Sequence, residues 1–154
     1  MTSILSTIYD KLEAMTVTFV DKTSTSVNPA VYSQETFAAS VQTAHLPARI
    51  LMPPSGSSTI MPGGNQDANW QITDLCLIEA AGQGQGVKGE LPAMTRYIAA
   101  YLTAIGKLWQ MQSEYHTEDA TLSTQITSGL FEYPTASGVW WYGVQVDLTI
   151  TELV

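Results

Sequence analysis

The stretch WWYGVQVDLTITEL, residues 140–153, decides the fold. Trp140, Tyr142, Val144, Val146, Leu148 and Ile150 share one parity, and Trp141, Gly143, Gln145, Asp147, Thr149 and Thr151 share the other. Alternation sustained over this length marks a β-strand with one buried and one wet face. A one-residue slip would carry every apolar side chain into water, so the register is strongly specified. A lone strand is unstable, so the rest of the chain must supply partner strands and a cover.

The turn PTASG, residues 134–138, precedes this strand, and apolar residues recur over 122–133. The 122–133 segment reads as strand in two phases with a bend at Gly129, and Leu130 to Tyr133 with Val139 onward are predicted to form an antiparallel hairpin. Upstream, Leu91, Met94, Ile98, Tyr101, Leu102, Ile105, Leu108 and Trp109 form a stripe at steps of three and four. This predicts a helix over 91–112, with Pro92 in its first turn, as the cover for the sheet. WQITDLCLIEA, residues 70–80, reads as a second strong strand. Its apolar phase changes partway, which implies either a bulge near Asp74 or burial on both faces. LPARILM, residues 46–52, reads as a strand whose Pro47 suits an edge or a strand start.

At the N-terminus, Ile4, Leu5, Ile8, Leu12 and Met15 recur at helical spacing, and Ser3 or Thr2 can cap the helix. TVTFV, residues 16–20, is β-branched and reads as a short strand, while 21–42 reads as irregular connection. Residues 53–69, PPSGSSTIMPGGNQDAN, read as a long loop joining two strands. Ile60 and Met61 stand out in its polar company, either tucked onto the domain or touching a neighbouring protein. Trp141 poses a similar question. It lies on the wet parity, so either a subunit contact or the chain's own loop must cover it. The expectation is one α+β domain over 1–154, a mainly antiparallel sheet covered by the long helix and the N-terminal helix.

Composition bounds the function. Only 13% of the 154 residues are charged, about half the usual share, which suggests a surface that lies against other subunits. The formal net charge is −8, and the six basic residues are scattered. Gripping a phosphate backbone needs clustered Lys and Arg, so nucleic-acid binding is not expected. The single cysteine, Cys76, sits in an apolar run and reads as a buried structural thiol. The N-terminal residues do not read as a signal or transit peptide, and no apolar run approaches the length of a membrane span. The expectation is a soluble protein made in the cytoplasm.

No catalytic constellation emerges. Gly84-Gln85-Gly86-Val87-Lys88-Gly89 matches G-x-G-x-x-G between a strand and a helix. The motif lacks the following βαβ units and the acidic residue that a dinucleotide site requires. A turn-forming loop is the simpler reading. His45 and His116 share no metal-ligand spacing with each other or with Cys76. No enzyme activity, cofactor or metal is expected.

The layout resembles the tail terminator, or tail completion, proteins of long-tailed bacteriophages. The likeness lies in the opening helix SILSTIYDKLEAM, then TVTFVDKTSTSVNPAVYSQETF, the strands LPARILM and WQITDLCLIE, the helix LPAMTRYIAAYLTAIGKLW, and the closing LFEYPTASGVWWYGVQVDLTITE. The resemblance implies a structural virion protein forming a ring, usually a hexamer, at the head-proximal end of the tail tube. Its partners would be further copies of itself, the tube protein and the head connector or neck protein. DNA would pass through without specific binding. Two alternatives remain: another neck, tube or baseplate subunit, or a small ligand-binding or enzymatic domain using the Gly84–Gly89 loop.

Overall fold

The computed structural model describes residues 3–33, 41–82, 86–111 and 120–154. Within them the chain runs α1 (Leu5–Ala14), β1 (Phe19–Val20), β2 (Ser26–Val27), β3 (Ala30–Ser33), β4 (Ala48–Leu51), β5 (Ser55–Ile60), β6 (Gln66–Ala80), α2 (Gly86–Met111), β7 (Ala120–Glu132) and β8 (Trp140–Leu153). It is an α+β fold.

The strand expected at 140–153 is β8, and it lies between β6 and β7. It is antiparallel to both, with Leu148 facing Ile72 on one side and Thr124 on the other. Beyond β6 come β4 and then β3, which pairs with β4 in parallel. Everything else in the main sheet is antiparallel. β1 and β2 form a separate two-stranded ribbon.

Tyr142, Val144, Val146, Leu148 and Ile150 are buried, as their parity predicts. With Ile72 and Cys76 of β6 they meet Ile8 and Leu12 of α1 and Met94, Tyr97, Tyr101, Ile105 and Leu108 of α2. Burial of an apolar side chain of this size contributes about 1.5–3 kcal/mol, so this layer dominates stability. A smaller cluster lies on the opposite face near the start of β8, where Leu75, Leu77 and Trp141 meet Ile50, Val41 and Tyr133.

Several expectations need correction. Residues 53–69 are no loop: β5 pairs with the first half of β6 in a hairpin. Pro62, with Gly63 and Gly64 at φ 97° and 89°, makes the turn, and such positive φ values suit glycine. The Ser, Thr, Gly and Asn content that resembles a loop is that of an exposed edge strand. β4 and β5 run in succession along the same edge of β6, with Met52 N–H donating to the Thr73 carbonyl between them (2.9 Å). β6 is therefore 15 residues long. The phase change along it reflects burial on both faces, and the register shift falls between Leu77 and Glu79 rather than near Asp74. Gly143 lies beside this shift, where a Cβ would collide with the Cys76 carbonyl.

α2 begins at Gly86, five positions before the expected start, so Pro92 lies inside it. Pro92 has no N–H for the turn before it, which is why it reads as a start. Leu91 and Leu102 are exposed, and Ala93 and Tyr97 take core positions instead. Part of the stretch read as irregular at 21–42 forms β2 and β3. The remainder of the glycine motif, Gly84 and Gln85, lies outside the described residues, as does His116.

Candidate interaction surfaces

Arg49 and Asp74 are each a lone charge inside an apolar strand, and that is the sequence signal for a buried pair. Both are fully buried. Arg49 Nε donates to Asp74 Oδ2 (3.2 Å), Nη2 donates to the same carboxylate, and Tyr101 Oη donates to Asp74 Oδ2 (2.9 Å). Arg49 Nη2 also reaches the Leu12 carbonyl (3.1 Å) and Nη1 the Met15 carbonyl. Burial opposes the guanidinium charge, but the Asp74 carboxylate outweighs it and raises the Arg49 pKa. Burial pushes the Cys76 thiol up, so it has little thiolate for chemistry. Burial likewise raises Tyr97 and Tyr101. The group is sealed under both helices and ties β4 and β6 to α1 and α2.

A second charged group lies at the far end of α2. Lys22, in the β1–β2 turn, pairs with Glu79 at the end of β6 and with Glu90 of α2 (2.9 Å to Oε1). Burial, then the neighbouring Glu79, raises the Glu90 pKa, whereas Glu90 and Lys22 hold Glu79 down. Of the two carboxyls, Glu90 is therefore the one that keeps a proton to the higher pH. Glu90 Oε2 has no hydrogen-bond partner among the described residues, a burial far cheaper for a neutral carboxyl than for a charged one. Among the described residues no group of three His, Cys, Asp or Glu could hold a metal ion. Nor is any helix there long and apolar enough to cross a membrane.

The sites expected from sequence do not come together. Trp141 is only 4% exposed; its Nε1 donates to the Tyr133 carbonyl (2.9 Å) and its ring joins the smaller cluster. The chain's own 131–133 and 41–52 segments cover it, so it offers no free contact. The exposed tryptophan is its neighbour Trp140, at 47%, with exposed Leu130 and Val139 nearby. Trp140 has core parity but stands at the strand's first position and joins neither core cluster. Ile60 is 72% exposed and Met61 half-buried at the β5–β6 turn. β6 runs from that turn to Ala80, opposite Trp141, so the two apolar points sit at opposite ends of a strand roughly 45 Å long.

Between them lies a broad polar face. Row by row across the sheet, Ser55, Gln71, Thr149 and Ser123 align, and then Ser57, Asn69, Thr151 and Thr121. Gln125, Thr127, Gln145, Asp147 and Thr73 extend this face. Asp147 Oδ1 accepts a hydrogen bond from Thr73 Oγ1 (2.8 Å), and Gln145 Nε2 also donates to its carboxylate. Among the described residues no Lys or Arg lies on this face. Lys11 is on α1, Lys88, Arg96 and Lys107 are on α2, Lys22 is in the β1–β2 turn, and Arg49 is buried on the helix side. The Lys and Arg positions are thus on the helices, in the β1–β2 turn or buried on the helix side. Sequence alone could not find this, because it depends on which strands stand side by side.

Compared with protein-family models and with curated proteins, the chain matches none.

Proposed function

We propose that this protein is a structural virion subunit that forms a ring at the head-proximal end of a phage tail tube. There it ends tube polymerisation and joins the tail to the head connector. One observation carries the reading: a wide sheet face of hydroxyl and amide side chains with no Lys or Arg among the described residues, those positions lying on the helices, in the β1–β2 turn or buried on the helix side. Phosphate contacts with Lys and Arg supply non-specific DNA affinity. A wall without them lets a duplex slide past. Turned towards a lumen, this face gives a neutral to acidic channel, and the helices form the outside of the ring.

The two exposed apolar points fit the same placement. A ring between tube and connector needs a contact surface at each end, and Ile60 with Met61 stands at one end of the sheet and Trp140 with Val139 at the other. Apolar and aromatic groups that remain exposed in a monomer are common at partner surfaces. The function needs no catalysis and no cofactor.

The test is a cryo-electron microscopy reconstruction of assembled tails. One ring of this chain where the tube meets the head is the expected result. Copies along the tube or at the distal tip would favour the tube or baseplate alternatives, and absence from the particle would end the virion reading.

A further inference from the structure

We infer that copies of this chain join edge to edge, β7 of one pairing with β5 of the next through main-chain hydrogen bonds. An edge strand presents unpaired N–H and C=O groups, and monomeric proteins guard such edges with Lys, Pro, bulges or short length. Neither edge here is guarded in that way. β5, SGSSTI, has no charge and no proline, and all six residues are exposed. β7, ATLSTQITSGLFE, is 13 residues long and carries one charge, Glu132, at its last position. Its regular run extends to Gly129, where φ is 146°.

Direction and level both suit the junction. β5 is antiparallel to β6, β6 to β8 and β8 to β7, so β5 and β7 run in opposite senses within one copy. Two copies standing the same way up therefore bring β7 against β5 as an antiparallel pair. The strands are also level, since Ser55 shares a row with Ser123 and Ser57 with Thr121. A junction between two different edges repeats from copy to copy and closes when the rotation allows. The polar face then continues across each seam. For its closed outcome this inference rests on the ring reading above; the junction itself rests on the edges alone.

Disulfide trapping tests it. Ser57→Cys combined in turn with Thr121→Cys, Ser123→Cys and Gln125→Cys places thiols on the same sheet face in neighbouring registers. Native Cys76 is fully buried and stays silent. Oxidation is run on the concentrated protein and on assembled particles, then read on non-reducing gels. The expected result is a ladder of multiples of 16.7 kDa from at least one pair, with each single variant remaining one band. One band for every pair in both preparations would overturn the junction. So would a dimer from Ser123→Cys alone, which would mean β7 meeting β7. A ladder from a chain that is absent from the tube end keeps the junction and removes the proposed placement.

Discussion

Arg49 and Glu152 hold opposite ends of the same helix. Glu152, near the end of β8, accepts hydrogen bonds from the Ile4 N–H (2.9 Å) and Ser3 Oγ at the start of α1, and from Trp70 Nε1 (2.9 Å). Arg49 donates to the Leu12 and Met15 carbonyls at the other end. The signs match the helix dipole: an anion at the N-terminus and a cation at the C-terminus, each reaching backbone groups of the helix's end turns. α1 has only 10 residues, too few to be stable in isolation. The sheet therefore fixes it from both ends.

Removing one member of the Arg49–Asp74 pair strands a buried charge, so Arg49→Met is expected to cost about 3–5 kcal/mol. Replacing both, as Arg49→Met with Asp74→Leu, should recover part of that loss. Recovery stays incomplete, because the carbonyls of Leu12 and Met15 and the Tyr101 hydroxyl lose partners. Urea unfolding of both singles and the double closes the cycle. A double variant no better than the worse single would show that the pair is not the coupled unit.

The two adjacent tryptophans should behave oppositely. Trp141→Ala empties a buried site and is expected to destabilise by about 3–5 kcal/mol. Trp140→Ala should stay within about 0.5 kcal/mol and instead weaken attachment to a partner. Thermal unfolding and head–tail joining in extracts read the two effects separately. Equal loss of stability would contradict the burial described above.

Val146 and Thr149 test the two faces of β8. Val146 is fully buried, and Thr149 lies on the polar face. Val146→Asp buries an unpaired charge at a cost of several kcal/mol, and little soluble protein is expected. Thr149→Asp should fold with a melting temperature close to the parent's.

Glu90 sets a pH dependence. Its pKa is raised in the folded state, so the native protein holds this proton more firmly than the unfolded chain does. The resulting stability is complete below the ordinary glutamate value of 4.5 and is lost as pH rises through the raised value. Glu79 is shifted downward, so its own contribution is already complete above 4.5. Glu90→Gln mimics the neutral form, and its unfolding midpoint should fall less between about pH 4.5 and pH 8 than the parent's. Parallel profiles for the two proteins would remove Glu90 from this role.

The sequence by itself determined the strand at 140–153 and which of its parities faces the core from Tyr142 to Ile150, because alternation at period two is local and unambiguous there. It also determined two covering helices, since their apolar stripes recur at helical spacing. It missed β5, whose exposed polar residues resemble a loop, and the true start of α2, which Pro92 disguises. Only the tertiary structure decided the fate of the two tryptophans. Parity says which side of a sheet a residue takes, but whether that side is wet depends on what packs there. Val41, Ile50 and Tyr133 cover Trp141, while Trp140 joins neither core cluster. The same limit applies to the cation-free face and the paired charges at 49 and 74. Each is assembled from strands far apart in the chain, and their adjacency is set by the burial of the common core.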